Sequence, residues 1–217
     1  MSQYVFFDLD GTLADTDADI RVAWKRAIAD QGLEAPDFDA KFVAGPPFDE
    51  MTKLLFPSDY SPDLTERLKA GFGAHYDHDG FALTKEYPGV LDTVRTLRAR
   101  GVRTYILTNK RYAGTLAMAR HFGWERVFDG IYSGDMHRND PIGLLKKPAL
   151  MRLVMEELGA AASGCVMVGD THLDFEAAKA NGVKSVAVAW GYGKPAELAL
   201  AEVRVGSAAE LLEAIHG

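Results

Sequence analysis

The chain has 217 residues, 47% of them hydrophobic and 25% charged, and carries a formal net charge of -7; this composition excludes a disordered chain and leaves room for one domain with a large insertion or for two modest domains. The negative balance, with no basic stripe, argues against a nucleic-acid backbone as partner. Cys165 is the single cysteine, so no intrachain disulfide can form, and no apolar run approaches the length of a membrane span.

The opening stretch MSQYVFFDLD has no basic region and meets acidic residues early, unlike a signal peptide, so a cytoplasmic location is expected. YVFF reads as a first strand. From about residue 15 to 85 the pattern is helical: TDADIRVAWKRAIADQG carries apolar residues at helical spacing and closes at Gly32, FDEMTKLLF (48–56) is a second helix, and PDLTERLKAGFGAHY (62–76) starts with proline in its first turn. Gly45-Pro46-Pro47 punctuates the region.

From about residue 87 helix and strand alternate. Helix VLDTVRTLRAR leads to strand VRTYILT, helix RYAGTLAMARHF and a short strand near GIYSG; helix KPALMRLVMEEL ends at Gly159 before strand CVMVGD, helix HLDFEAAKANG and strand VKSVAVAW. Such alternation predicts an α/β fold with a mostly parallel sheet and right-handed crossovers. Residues 1–14 and 87–217 are expected to form this core, with 15–86 as an inserted helical domain.

Three strand ends carry polar clusters. Asp8 and Asp10 lie one residue apart at the end of the first run, so in an extended chain both carboxylates face one side while Leu9 faces the other, and Gly11 lets the chain turn. Two anionic groups this close call for a hard, oxygen-seeking cation such as Mg2+, although a solvated acidic strand end reads the same way. VRTYILTN ends in Thr108 and Asn109, and GCVMVGD ends in Asp170. In open parallel sheets ligands bind beyond the carboxyl ends of strands, so the three clusters are expected to meet in one crevice. Thr108 offers a hydroxyl and Asn109 an amide to a phosphoryl oxygen, and Lys110 with Arg111 could attract an anion or simply open a solvated helix.

FDLDGTLADT, LTNK at 107–110, Lys147 and VGDTHLDFEAAKANG at 168–182 together resemble the four ordered motifs of the haloacid dehalogenase superfamily, over essentially the whole chain. AGPPF and VAWGYGKPAEL are similar to segments of its phosphoglycolate phosphatase-like branch and of nucleotidases. The resemblance implies a three-layer Rossmann-like core with an inserted α-helical cap that closes over substrate. It further implies a Mg2+-dependent phosphomonoester hydrolase acting through an aspartyl phosphate. Asp8, which spacing alone does not favour over Asp10, would be the nucleophile; Asp10 would serve as general acid and base, its backbone carbonyl also binding the metal. Thr108, Asn109 and Gly11 would bind the phosphoryl group. Lys147, favoured over Lys146 because Pro148 follows it as in the family's pattern, would neutralise the developing charge. Asp170 would complete the metal site with Asp8 and Asp10, and Asp174 would join it directly, through water, or by positioning Lys147. Gly45 and Pro46 would help select substrate.

The expected partner is a small phosphorylated metabolite, with no nucleic acid or membrane, and the chain as a monomer or homodimer. Rival functions are a 5'-nucleotidase or protein-tyrosine phosphatase on the same scaffold, a sugar phosphomutase of the β-phosphoglucomutase kind, or a silent binding module. His75 and His78 in HYDHD (75–79) read as a solvated hinge, His172 as a neighbour of substrate at most, and Trp24, Phe48 and Phe72 as packing.

Overall fold

The computed structural model describes residues 3–78, 81–137, 139 and 141–216. In chain order the elements are β1 (Tyr4–Phe7), β2 (Ala14–Asp15), α1 (Asp17–Asp30), α2 (Phe38–Lys41), α3 (Phe48–Leu55), α4 (Pro62–Tyr76), β3 (Lys85–Glu86), α5 (Val90–Ala99) and β4 (Arg103–Thr108). They continue with α6 (Tyr112–His121), β5 (Gly130–Ser133), α7 (Lys147–Leu158), β6 (Cys165–Gly169), α8 (His172–Ala180), β7 (Lys184–Val188), α9 (Pro195–Leu198), β8 (Val203–Val205) and α10 (Ala208–His216).

The chain divides into two compact units, residues 1–15 with 85–217 and residues 16–84. In the first, six strands form a sheet in the order β5-β4-β1-β6-β7-β8, every pair parallel. β1 sits between β4 and β6, and Phe7 pairs with Ile106 on one side and Val168 on the other. That common register brings Asp8, Thr108 and Asp170 out side by side at the carboxyl edge.

β1 has no solvated face. Val5, Phe6 and Phe7 are all fully buried, as expected of a central parallel strand covered on both sides. Phe6, Tyr105, Leu107 and Met167 share one core with Leu150, Met151 and Val154 of α7 and Ala177 and Ala178 of α8. α5 packs on β4 and α10, and α10 on β7 and β8. Cys165 is buried in the first of these cores, where desolvation pushes its thiol up to about 11.

Between β1 and β2 the chain turns tightly: the Leu9 carbonyl accepts the N–H groups of Thr12, Leu13 and Ala14, and Gly11 takes φ +78°. β2 then pairs antiparallel with β3, Ala14 opposite Glu86. This two-residue ribbon, which the helical pattern of 15–86 does not foretell, keeps Asp15, Lys85 and Glu86 with the sheet unit.

Residues 16–84 form a helical unit of their own. α1 packs on α4, with Gly71 against Ala27. Trp24 stacks on Phe48 (4.5 Å between ring centres), and Phe72 lies edge-on to Phe48 (5.1 Å), so the three rings are packing residues as expected. Ser61 caps α4 by accepting the Leu64 N–H, and Pro62 occupies its first turn. Asp19 closes the unit by accepting the N–H groups of Leu83 and Thr84 and the Thr84 hydroxyl (3.0, 2.7 and 2.8 Å). His75 pairs with Asp30 at 2.7 Å, and Asp79 of the HYDHD segment lies outside the described residues.

The expected strands and long helices are present, while α2, α9, β8 and α10 extend beyond them. Among the described residues no helix is long and apolar enough to cross a membrane.

Candidate active site

All the chemistry-bearing side chains described below belong to the sheet unit. Asp8 leaves β1 with its backbone N–H bonded to the Val168 carbonyl (2.9 Å), so the strand pairing is carried one residue further and fixes where this carboxylate starts. Thr108 is the last residue of β4. Asp170 follows β6, and Asp174 lies in the first turn of α8. Lys147 is the first residue of α7, with Pro148 next, whereas Lys146 is exposed.

Lys147 is 3% exposed and lies between two carboxylates, Nζ donating to Asp8 Oδ1 at 2.7 Å and to Asp174 Oδ1 at 2.5 Å. The other Asp174 oxygen accepts the backbone N–H and the hydroxyl of Thr171 (3.0 and 3.1 Å), which locks its orientation at the helix start. Asp174 therefore combines a helix-terminal role with a contact to Lys147.

Asp8, Asp170 and Asp174 each offer an oxygen within 4.8 Å of the others, and all three are buried. Three carboxylates against the one ammonium of Lys147 leave a formal charge of -2 in a desolvated place, which a divalent cation would balance. The acid strengths register this excess. Burial pushes the Asp8 carboxyl up to about 6, with Lys147 pulling down and Asp174 and Asp10 adding repulsion. Burial and the charges of Asp8 and Asp174 push Asp170 up to about 8, against the Tyr192 N–H and Lys147. At Lys147 burial presses the pKa down, and the adjacent Asp174 and Asp8 outweigh it, so the ammonium is held above its ordinary value. All-oxygen donors in this number suit a hard cation, and the residues present fit one.

Asp170 is walled by backbone and by one hydroxyl. Its Oδ2 accepts the Tyr192 N–H at 2.7 Å and its Oδ1 the Thr12 hydroxyl at 3.3 Å. A Cβ at Gly11 would overlap the Asp170 carboxylate, and one at Gly191 would overlap both the Gly11 carbonyl and Asp170. Only glycine permits these two loops to close on the carboxylate. Trp190 Nε1 donates to the Thr12 carbonyl (3.2 Å) and the Tyr192 hydroxyl to Asp15 (2.8 Å), so the loop after β7 is stitched to the loop after β1.

Asp10 stands apart from the three buried acids and is bound by a second lysine. Lys110 Nζ donates to Asp10 Oδ1 at 2.9 Å and Oδ2 at 3.2 Å, with the Lys110 side chain 8% exposed. This is not a solvated helix start. Thr108 is 1% exposed, and its Oγ1 accepts the Lys110 backbone N–H at 3.2 Å; Asn109 beside it is exposed. His172 is bound to Glu197 of α9 at 2.6 Å. Gly45 and Pro46 lie in the helical unit, both exposed, Gly45 at φ +117°.

Thus Asp8, Lys147 and Asp174 form one contact network with Asp170 beside it, and Asp10, Lys110 and Thr108 form a second at the same sheet edge. Sequence reasoning does not reach Thr12, Gly191 and Tyr192. The signal for Gly191 and Tyr192 is the aromatic and glycine run WGYG directly after β7, and that for Thr12 is its place in the DGTL turn directly after β1.

The family model of haloacid dehalogenase-like hydrolases matches residues 5–188. A tyrosine-protein kinase, PtkA, of Mycobacterium tuberculosis is 32% identical over 196 residues, covering 88% of this chain, which spans 64% of the length of that relative. A phosphoglycolate phosphatase of Aquifex aeolicus is 30% identical over 194 residues, covering 88% of this chain and 86% of that protein. The crystal structure of a predicted phosphatase from Clostridium acetobutylicum superposes with a TM-score of 0.85 at 25% identity, covering 100% of this chain and 99% of that one.

Proposed function

Because the chain belongs to the haloacid dehalogenase-like hydrolase family, we propose that it is a Mg2+-dependent phosphomonoester hydrolase that works on a small phosphorylated metabolite of the phosphoglycolate type through an aspartyl-phosphate intermediate. The observation that carries this assignment is the buried Asp8–Lys147–Asp174 network beside Asp170, with its excess of negative charge. The phosphoglycolate phosphatase relative supports the substrate class.

Asp8 attacks phosphorus and becomes phosphorylated, forming an aspartyl (acyl) phosphate as the alcohol leaves, which splits one hydrolysis into two displacements. Asp10 gives a proton to the leaving oxygen and then takes one from the attacking water. Thr108 and Asn109 donate hydrogen bonds to the phosphoryl oxygens, with Gly11 allowing the chain to approach closely. Lys147 holds positive charge beside oxygens on which negative charge gathers. Asp8, the Asp10 carbonyl and Asp170 would hold Mg2+, with Asp174 beside them, and the ion when bound neutralises the phosphoryl oxygens. Gly45 and Pro46 are assigned to substrate choice.

A panel of phosphorylated metabolites assayed for inorganic phosphate with Mg2+ tests the assignment. Phosphoglycolate and p-nitrophenyl phosphate are expected to release phosphate, and EDTA to abolish that release. Activity undiminished by chelation would contradict the metal site; transfer to a protein tyrosine or to a second sugar hydroxyl in place of phosphate release would replace hydrolysis with a kinase or mutase.

The raised carboxyl pKa values give a pH signature. Asp8 at about 6 and Asp170 at about 8 bind more protons folded than unfolded, where carboxyls titrate near 4. The stability that protonation confers on the metal-free fold is therefore lost as pH rises through that window. Mg2+ binds the ionised forms and offsets the loss. The Tm increase produced by Mg2+ is expected to be larger at pH 8.5 than at pH 6, and an equal or smaller increase at pH 8.5 would show that these acids do not hold the ion.

A further inference from the structure

We infer that Lys110 is a positioning residue for Asp10, fixing the carboxylate that faces the leaving group of the substrate. The inference rests on the phosphohydrolase assignment above and adds to it a residue whose part the chemistry of Asp8, Lys147 and Asp170 does not supply.

Four aspartates gather at the carboxyl edge of the sheet, and two lysines bind three of them, Asp170 being held by Thr12 and the Tyr192 N–H instead. Lys147 is committed to Asp8 and Asp174, both buried. Asp10 lies one residue past Leu9, in the turn beyond β1, and its side chain keeps 22% of its exposure. A half-open aspartate in a turn has several rotamers available. Lys110 restrains that choice, its ammonium reaching both carboxylate oxygens, at 2.9 and 3.2 Å.

Lys110 is itself held. Its backbone N–H is bonded to Thr108 Oγ1, and its side chain is almost wholly enclosed. Thr108 belongs to β4, which pairs with β1 through Phe7 and Ile106. The sheet register therefore determines where the Lys110 backbone sits, and the enclosed ammonium transmits that position to Asp10. A lysine on an exposed helix start would have no such leverage.

Leaving-group departure is the step that needs this precision. The acting form of Asp10 carries a proton on one oxygen while the other still accepts from Lys110. As the bond from an Asp8 oxygen to phosphorus forms, the bond from phosphorus to the ester oxygen breaks, its electron pair stays on that oxygen, and the Asp10 proton passes to it, leaving the carboxylate paired with the ammonium. An alkoxide departs badly without that proton; p-nitrophenolate departs well without it. Misplacing the acid should therefore penalise alkyl esters selectively. Loss of about an ångström of alignment costs on the order of 100-fold, within the 10²–10⁴ typical of general acid–base catalysis.

The test compares wild type, K110M, K110Q and K110R in saturating Mg2+, reading kcat/KM for p-nitrophenyl phosphate and for the fastest alkyl phosphate of the metabolite panel. K110M and K110Q are expected to lose roughly 30-fold or more on the alkyl ester and no more than about 3-fold on the nitrophenyl ester. K110R, which can span both carboxylate oxygens, is expected to recover the alkyl ester to within about 5-fold of wild type. Equal losses on the two esters, or no loss on either, would overturn the positioning role. Two neutral variants and one cationic variant keep the comparison decisive if one of them folds poorly. Wild type inactive on both esters would instead defeat the phosphohydrolase assignment itself, an outcome distinct from any pattern among the variants.

Discussion

Asp8→Asn is expected to reduce phosphate release from p-nitrophenyl phosphate by roughly 10⁴-fold or more, with thermal unfolding unchanged or shifted slightly upward. The two halves of that expectation come from the same environment. Asp8 is the carboxylate at the end of the central strand, bonded to Lys147 at 2.7 Å, and an amide in its place cannot attack phosphorus. Yet burial dominates its acid strength and pushes it to about 6, so the fold already disfavours its charged form when no cation is present. Asparagine has the same shape without that charge, and its amide oxygen can still accept from Lys147. Steady-state phosphate release and a thermal melt in EDTA check the two halves. Retained turnover would remove Asp8 as nucleophile, and a collapsed melt would mean that it is chiefly structural.

Lys147→Met is expected to be damaging in both respects. The ammonium is the positive partner among three buried carboxylates, in contact with two of them at 2.7 and 2.5 Å. Deleting one member of a buried ionic network leaves uncompensated charge and costs about 3–5 kcal/mol. For a chain of 217 residues that is a large share of ordinary stability. Urea unfolding in EDTA should show the loss in full at pH 8.5 and a smaller one at pH 6, where Asp170 is protonated. Mg2+ should restore part of the stability and little of the turnover, because the charge on the phosphoryl oxygens would still lack its fixed partner. Lys146→Met serves as the control: its side chain is exposed, and a change there is expected to stay within about 0.5 kcal/mol. If the two variants behave alike, Lys147 has no special place.

The sheet core was legible because central parallel strands are buried on both faces and so read as unbroken apolar runs with abrupt polar ends. YVFF before Asp8, RTYILT ending at Thr108 and CVMVG before Asp170 are of this kind. Helical periodicity likewise marked α1, α3 and α4 through Trp24, Phe48 and Phe72. The contacts of the loops were not legible, since they depend on chain segments far apart: Thr12 meets Asp170 and Lys110 meets Asp10 only after the sheet has formed. Tyr192 acts on Asp170 through its backbone N–H, which no residue type announces. β2 and β3, at two residues each, are too short to show a period, and they exist because they find each other.

That short ribbon, with Asp19 bonded to Leu83 and Thr84, has a consequence for how the molecule forms. The central strand β1 must find β4 across the whole helical unit, a long closure of the kind that slows folding and raises its entropic cost. Once residues 16–84 have folded and joined their own ends, the long segment counts as a small one, and the effective loop between β1 and β4 shrinks to two short strands and a helix. Early folding of the helical unit is therefore expected to offset the closure cost that the insertion imposes on the β1–β4 pair, so that a variant destabilised within residues 16–84 should refold more slowly.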